Sequence, residues 1–316
     1  MFATLFTVLV LTSADYDLWV CGAITKDWKP GIDQRSSGLH RRSAQGLWTH
    51  PGYDHPYINA LAVDPRDPTT FYLASGNGMI RARDNGKQWR IMTSWDMTEA
   101  NGIAVDRQGD IYLALPDGIG YSADGGNTWT RRDTGIRRKF TQAIRAAADG
   151  TILAGTEQGI FRNNGADWTL SGAAGEMVFD VVQSPHDLNR WIAVTQSGKA
   201  FQSLDNARSW NPITTVPKVH TLYNVAFDPR NPNRIVLGGW NTGVLLTEDN
   251  GRTWTNIMPN AQVWRVAIHP GNGAIYAYVH EKELFETANN GKSWTAAGLP
   301  GGVVRDLVFR KAAEAK

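Results

Sequence analysis

Two adjacent positions at the starts of recurring apolar segments carry residues that can do chemistry. Alignment of the segments LAVDP, VAFDP and VAIHP places Asp180, Asn224, Arg265 and Asp306 at one of them. The preceding position holds mostly polar and aromatic residues: Asn59, Asn101, Gln142, Phe179, Tyr223, Trp264 and Arg305. Carboxylates such as Asp180 and Asp306 can serve as the two acids of glycoside hydrolysis. The amide, aromatic and guanidinium groups can instead hold a carbohydrate or a peptide.

The same side chains also have a purely structural explanation. Polar groups can line a water-filled channel, and buried charges are normally paired. On this interpretation Asp180 or Asp306 pairs with Arg265 or Arg305, and no ligand is needed. The residue types alone leave the catalytic, ligand-binding and structural interpretations open.

Two loops add candidate contact residues. The segment HPGYDHPY contains Tyr53 between two histidines, His50 and His55. No helix holds these histidines at a fixed spacing, so we predict no metal site there and no cofactor elsewhere. The segment from Ile24 to Ser37 is longer than the matching loops and contains Trp28. Long loops on a rigid scaffold often carry function, and we therefore include Tyr53 and Trp28 among the ligand-binding candidates.

A repeat of about forty residues must position these groups. Seven of the 13 tryptophans recur at separations of 41, 40, 39, 42, 44 and 40 residues: Trp48, Trp89, Trp129, Trp168, Trp210, Trp254 and Trp294. Each repeat contains short apolar segments separated by Gly, Pro, Asn and Asp, which is typical of four short strands joined by turns. Four strands per forty residues predict one blade of a β-propeller.

The ends of the chain predict how the ring closes. YDLWVCGA near the start resembles the second strand of a repeat, and VVRDLVF near the end resembles a first strand. Strands from both ends would then share one blade, which removes free sheet edges. We predict an all-β, seven-bladed propeller of four-stranded antiparallel blades over residues 15–310, with a short tail at 311–316.

The segment before the repeated tryptophan is a motif. It reads Ser122, Asp124, Gly126, Thr128 and Trp129 in its best copy. This pattern resembles the Asp-box, or bacterial neuraminidase repeat. Asp carboxylates and Ser or Thr hydroxyls bond backbone N–H groups in tight turns, and Trp covers apolar surface. We therefore predict a structural role for Asp84, Asp124, Asp205, Asp249, Trp89, Trp129, Trp210, Trp254 and Trp294.

Asp-Pro turns such as Asp64-Pro65 and Asp228-Pro229 make the chain similar to the branch of Asp-box propellers containing sortilin, xyloglucanases and photosystem II assembly factors. The resemblance implies box hairpins on the face away from the ligand mouth. It also implies either a glycoside hydrolase or a binding protein. The Arg-Ile-Pro signature of sialidases is missing, sialidases have six blades, and xyloglucanases use a cleft between two propellers. We predict a non-catalytic propeller that binds a protein or glycan at the axial funnel. The alternative is a glycoside hydrolase that uses Asp180 and Asp306.

Composition excludes several classes of protein. The chain is 42% hydrophobic, unlike a disordered protein. Its 32 basic and 30 acidic residues leave a charge of +2, which argues against nucleic-acid binding. The apolar segment 1–14 is too short to span a membrane. One interpretation is a cleaved signal peptide, which implies a secreted or periplasmic protein. The alternative is a core strand, which implies a cytoplasmic protein. In both cases we predict a monomer.

Overall fold

The structure is a computed structural model that describes residues 16–23, 37–52, 54–55, 57–165 and 167–312. It consists of seven antiparallel sheets, each of four strands. The segment 1–14, Trp28, Tyr53 and residues 313–316 of the predicted tail lie outside the described residues. The predicted fold class, a seven-bladed β-propeller, is confirmed.

The blades are numbered in chain order, and the strands of each are given from the axis outward. Blade 1 contains β28 (Val303–Lys311), β1 (Tyr16–Ala23), β2 (Gly38–Arg42) and β3 (Trp48–Thr49). Blade 2 contains β4 (Ile58–Asp64), β5 (Asp67–Ser75), β6 (Gly78–Arg83) and β7 (Gln88–Ile91). Blade 3 contains β8 (Gly102–Val105), β9 (Ile111–Leu115), β10 (Gly118–Ser122) and β11 (Thr130–Arg131).

The remaining four blades repeat this order. Blade 4 contains β12 (Thr141–Ala146), β13 (Ile152–Thr156), β14 (Gly159–Asn163) and β15 (Trp168–Gly172). Blade 5 contains β16 (Val178–Gln183), β17 (Trp191–Thr195), β18 (Ala200–Ser203) and β19 (Asn211–Pro212). Blade 6 contains β20 (Asn224–Asp228), β21 (Asn231–Gly239), β22 (Gly243–Thr247) and β23 (Thr255–Asn256). Blade 7 contains β24 (Val263–Ile268), β25 (Ile275–Val279), β26 (Leu284–Thr287) and β27 (Thr295–Gly298).

The ring closes through blade 1, as the chain ends predicted. Strand β28 pairs with β1 along its length, from Tyr16 opposite Lys311 to Ala23 opposite Val303. The first strands of neighbouring blades contact one another around the axis, and β28 lies between β24 and β4. Every blade therefore has its inner edge packed against two neighbours.

The hydrophobic core lies between the blades. Each of seven buried clusters joins residues of two neighbouring sheets, such as Trp19 and Leu39 of blade 1 with Phe71 and Leu73 of blade 2. The second strands are buried on both faces, and all five residues of β9 and of β17 are buried. This double burial explains why these strands are continuous apolar runs without alternation.

The box hairpins, which connect the third and fourth strands at the repeated motif, are held by their carboxylates. In Ser122–Trp129 the Asp124 carboxylate accepts hydrogen bonds from the Thr128 N–H (2.9 Å) and hydroxyl (2.8 Å) and from the Ser122 hydroxyl (2.9 Å). Asp205 and Asp249 make the same set of bonds. Asn289 does so with its amide oxygen and donates to the Ser293 hydroxyl.

Five of the seven repeated tryptophans tie their blade to the preceding one by a hydrogen bond, whereas the buried ring N–H of Trp254 has no partner among the described residues. The ring N–H of Trp129 donates to the Met92 carbonyl (2.9 Å), and that of Trp294 donates to the Ile257 carbonyl (3.0 Å). Trp48, Trp168 and Trp210 likewise donate to the preceding blade. The indole thus covers apolar surface and satisfies a polar group at the same joint.

Asp84 does not make the bonds of the other box carboxylates. Ala82 and Gln88 stand where blade 3 has Ser122 and Thr128, so the two hydroxyls that hold the carboxylate are missing. Asp84 has a positive φ of 52° and forms an ion pair with Lys87 (3.3 Å). The local chain path differs accordingly, since strand pairing extends to Arg83 opposite Gln88, whereas in blade 3 it ends at Tyr121 opposite Thr130.

We expect the box carboxylates to make the fold acid-sensitive. Hydrogen bonds to the hairpin backbone and hydroxyls lower the pKa of Asp124, Asp205 and Asp249 to about 2. A pKa lowered on folding stabilises the folded state above the ordinary carboxyl pKa, and this stabilisation is lost as the pH falls from about 4 to about 2. The melting temperature measured across this range should therefore fall less in a triple Asp→Asn variant. Asn289 shows that an amide fits the hairpin. An unchanged slope in a folded triple variant contradicts the expectation.

No helix among the described residues is long and apolar enough to cross a membrane. The helical structure in those residues is one 3-10 turn, Asp84–Gly86.

Candidate functional site

A cavity of about 540 Å³ opens at one end of the propeller axis. We call it the mouth pocket. Its wall contains one residue from each blade, the complete ring at the preceding position of the sequence alignment: Asn59, Asn101, Gln142, Phe179, Tyr223, Trp264 and Arg305. The loop residues His55, Tyr57, Asn77 and Glu99 complete the rim, and Arg265 also lines the pocket. Its size is that of a small-ligand site.

β-Bulges explain why two consecutive residues face the axis. In five of the first strands, one residue is left unpaired between two paired neighbours: Asn59, Gln142, Phe179, Trp264 and Arg305. Asn101 and Tyr223 directly precede their strands. A bulge turns a side chain that would otherwise point into the sheet stack. The unpaired residue reaches the mouth pocket, and the following residue points along the axis below it.

Four of the ring residues form a stack around half of the mouth pocket. Phe179 contacts Tyr223 with ring centroids 4.9 Å apart, and Tyr223 is parallel to Trp264 at 4.7 Å and 2°. The Arg305 guanidinium lies 4.6 Å from the Trp264 ring centroid. Trp240 packs its edge against Tyr223 and Trp264. Because these residues come from consecutive blades, Tyr223 and Arg305 cover the two faces of Trp264.

Arg305 is an uncompensated cation within the mouth pocket. Among the described residues its guanidinium donates no hydrogen bond and has no carboxylate within ion-pair distance. Burial and the nearby charge of Arg265 lower the pKa of Arg305. Arg265 is better satisfied, because it donates to the Tyr223 carbonyl (3.2 Å) and to the Arg305 carbonyl. The pocket therefore favours binding of a negatively charged group next to Arg305.

Amides form much of the other half of the pocket wall. Asn59 donates to the Ala100 carbonyl (2.8 Å) and Asn101 donates to the Thr141 carbonyl (3.0 Å), each in the next blade. These bonds use the amide N–H groups and leave both side-chain oxygens as acceptors. Gln142 makes no hydrogen bond to the described residues through its side chain. This half can accept hydrogen bonds from a ligand.

Below the mouth pocket, a second cavity of about 460 Å³ follows the axis. We call it the axial channel. Asp180, Asn224 and Asp306 line it, and Arg265 borders both cavities. The structure thus brings the candidate residues together on one axis but separates them into two levels.

The channel residues connect neighbouring blades by a repeated contact. Asp306 accepts from the Leu61 N–H (3.1 Å), Asp180 accepts from the Val225 N–H (3.3 Å), and Asn224 accepts from the Val266 N–H (3.0 Å). In each case the donor is one residue beyond the aligned position in the next blade. Asn224 also donates to the Val266 carbonyl (2.9 Å).

The charge pairing in the channel involves a residue that the sequence did not indicate. Asp180 pairs with Arg145 at 2.8 Å, whereas the sequence suggested Arg265 or Arg305. Arg145 lies three residues beyond the mouth position of blade 4, outside the two aligned positions. Burial raises the pKa of Asp306, although Arg265 and Arg145 act in the opposite direction. Neither carboxylate lines the mouth pocket.

Sequence reasoning also missed Glu99 and Trp240 on or next to the mouth pocket, whereas Tyr57 belongs to the candidate loop HPGYDHPY. Glu99 lies in the loop that leads into β8, and Trp240 lies in the turn after β21. Loops of these two kinds open at the mouth of a propeller, so their position in the repeat was the available signal. Their residue types carried none.

Of the two candidate loops from the sequence, the described part of HPGYDHPY contributes one histidine to the mouth pocket. Trp28 and Tyr53 lie outside the described residues. His50 bonds Asp54 (2.8 Å) and the Leu39 carbonyl (2.7 Å), away from the mouth pocket, whereas His55 lines it. Burial lowers the pKa of His55. Within the described residues no group of three potential metal ligands is assembled.

Comparison with known proteins identifies two kinds of relative, and no family model matches the chain. The photosystem II assembly lipoprotein Ycf48 of Synechococcus is 25% identical over 259 residues, which cover 75% of this chain and 74% of the relative. A xyloglucanase of Neosartorya fischeri, named as oligoxyloglucan-reducing end-specific, is 32% identical over 79 residues. That match covers 22% of this chain and 10% of the enzyme.

Solved structures show the same fold. The GH74 enzyme of Niastella koreensis superposes with a TM-score of 0.71 at 17% identity, over 90% of this chain and 52% of the enzyme. The chain thus spans about half of that enzyme's length. A structure of YCF48 bound to D1 peptide has a TM-score of 0.61 at 16% identity, over 82% of this chain and 94% of that one. Extracellular domains from B. thetaiotaomicron are also similar.

Proposed function

We propose that this propeller is a non-catalytic binding protein whose mouth pocket holds a segment of a partner protein through a carboxylate. The observation that carries the proposal is the unpaired Arg305 guanidinium, held against Trp264 in a cavity of about 540 Å³. Arg305 is half-buried, and a cation partly withdrawn from water is normally paired, but the described residues supply no partner. Stacking fixes the guanidinium, which favours bidentate contact with a planar carboxylate.

The aromatic stack favours a protein ligand over a glycan. A sugar ring needs an open aromatic face, but Tyr223 and Arg305 cover both faces of Trp264. The acceptor amides of Asn59 and Asn101 suit the N–H groups of an extended peptide. A similar fold, YCF48, has been solved with a bound peptide, which supports this class of ligand.

The contacts of Asp180 and Asp306 support a structural role over a catalytic one. Both carboxylates accept hydrogen bonds from the backbone of the next blade, and they line the axial channel below the mouth pocket. Asn224, which is not an acid, makes the same contact in blade 6. Because an amide makes the same contact, the contact does not require an acid. Glycoside hydrolysis stays the alternative because GH74 enzymes share the fold.

We further infer that the chain is an Asp-box propeller of the branch that the sequence resembles, and that it acts as a secreted or periplasmic monomer without a cofactor. The carboxylate bonds in the hairpins of Asp124, Asp205 and Asp249 support the first inference. Similarity to extracellular domains supports the location.

Substitution of Arg305 tests the proposal. Random peptides displayed on phage are selected on the purified protein, and enriched sequences are synthesised for calorimetric titration. We expect an acidic side chain or a free carboxyl terminus in each. Arg305→Gln should weaken binding about 10–100-fold, since a hydrogen bond to a charged group contributes about 1.5–3 kcal/mol. Arg305→Lys should restore little of the lost affinity, because lysine lacks the planar guanidinium that bonds both carboxylate oxygens.

The control variant is Arg137→Gln, which removes an arginine outside the mouth pocket. It should bind the peptides as the unchanged protein does. Failure to enrich any peptide, or equal binding by Arg305→Gln and Arg137→Gln, contradicts the proposal. Incubation of the protein with xyloglucan oligosaccharides tests the alternative, and new reducing ends that Asp180→Asn and Asp306→Asn abolish would support hydrolysis.

A further inference from the structure

We infer that the mouth pocket selects a dipolar segment, with a carboxylate bound at Arg305 and a basic side chain bound at Glu99. This inference rests on the proposed function and specifies its ligand. It follows from a second unpaired charge in the same cavity, opposite in sign to the first.

Glu99 is the carboxylate of the mouth pocket among the described lining residues. It is exposed on the loop between blades 2 and 3. In the described part of the chain its carboxylate accepts no hydrogen bond and has no ion-pair partner. Its backbone is nevertheless fixed, because the Glu99 N–H donates to the Gly76 carbonyl (3.0 Å) and the Ala100 N–H donates to the Ser75 carbonyl (2.9 Å).

The two opposite charges do not neutralise each other. Among the described residues, neither Arg305 nor Arg265 lies within 4.0 Å of the Glu99 carboxylate, although all three line the same cavity. Arg305, on the inner strand of blade 1, is held against the Trp264 ring. The backbone of Glu99 is held by hydrogen bonds of its loop. Stacking fixes the Arg305 guanidinium and hydrogen bonds fix the Glu99 backbone, so binding of a ligand that spans the two charges mainly orders the Glu99 side chain.

The order of the blades provides a path between the two charges. Arg305 belongs to blade 1, Asn59 to blade 2 and Asn101 to blade 3, two residues after Glu99 in sequence. The free amide oxygens of Asn59 and Asn101 therefore lie on the side of the ring between the cation and the carboxylate. An extended peptide along this path can donate backbone N–H groups to the amides while its charged side chains reach the two ends.

Electrostatics then determines which segments are excluded. A purely acidic segment satisfies Arg305 but places like charge beside Glu99, and a purely basic segment does the reverse. Like charges at close range disfavour the wrong partner. The pocket should prefer one acidic and one basic group in a fixed order along the peptide.

Charge reversal at Glu99 tests the inference. The same phage library is selected on the unchanged protein and on Glu99→Lys. We expect peptides from the unchanged protein to carry an acidic and a basic residue at a constant separation. Peptides from Glu99→Lys should carry an acidic residue in place of the basic one. A synthetic peptide with that exchange should bind Glu99→Lys at least tenfold more tightly than the unchanged protein.

Glu157→Lys is the control, because it reverses a half-buried carboxylate outside the mouth pocket. It should select the sequences that the unchanged protein selects. Selected peptides without a basic residue, or identical sequences from Glu99→Lys, overturn the inference. If Arg305→Gln still abolishes binding in that case, the proposed function stands alone. If the unchanged protein selects no peptide, both proposals fail.

Discussion

A chain that ends at Gly302 should not fold into the closed ring. It lacks β28, the inner strand of blade 1, which pairs with β1 and lies between β24 and β4. It also lacks the Asp306 bond to blade 2 and the Arg310 guanidinium, which lies over Trp19 and Phe71 (4.8 and 4.9 Å). The loss should be comparable with a whole domain's stability of about 5–15 kcal/mol. Scanning calorimetry should show no cooperative transition.

A chain that ends at Ala312 is the control, because it keeps β28 complete. It should unfold at the temperature of the full chain. A single substitution provides an independent test in the full-length protein. An added Cβ at Gly22 would lie 2.4 Å from the Val303 carbonyl oxygen, whereas one at Gly102 meets nothing closer than 3.4 Å. Gly22→Ala should therefore lower the melting temperature much more than Gly102→Ala. Equal effects would show that closure does not limit stability.

Asp306→Ala should destabilise the protein by about 3 kcal/mol. The substitution leaves the buried Leu61 N–H without its acceptor, at a cost of about 1–3 kcal/mol. It also removes a negative charge near Arg265, and uncompensated buried charge adds to the loss. Asp306→Asn should cost less than about 1 kcal/mol, because Asn224 makes the equivalent contact in blade 6. Chemical denaturation of the three proteins measures these differences.

The pH dependence separates a structural carboxylate from a catalytic one. Burial raises the pKa of Asp306, so the folded state binds its proton more tightly than the unfolded chain. The stability of the unchanged protein should therefore fall relative to Asp306→Asn as the pH rises above about 4. Peptide binding by Asp306→Asn should be unchanged. A folded Asp306→Asn protein that has lost binding or cleavage would contradict the structural role.

The repeat made much of this molecule predictable. A tryptophan every forty residues, turn residues between apolar segments and complementary chain ends predicted seven blades and their closure. Alignment of the repeats also predicted the seven residues that form the ring of the mouth pocket. Such patterns are visible because each blade must bury the same faces against its neighbours, so equivalent positions recur at a constant spacing.

The separation of the two aligned positions depended on the three-dimensional structure. The alignment treated Arg305 and Asp306 as neighbours of one site, but a bulge places Arg305 in the mouth pocket and Asp306 in the channel. The partner of Asp180 is Arg145 because both lie on inner strands of adjacent blades. This ion pair follows no regular spacing in the sequence, unlike the repeated contact of the channel residues with the next blade.

The number of blades, the repeated hairpin motif and the ring of residues around the axis could be predicted from the sequence alone. These follow from burial and turn chemistry, which act locally and repeat. Which charges have partners could be seen only in the folded ring. Asp180 and Asp306 bond across to the next blade, whereas Arg305 and Glu99 do not meet. Pairing depends on distances between separate blades, and these exist only after the ring has closed.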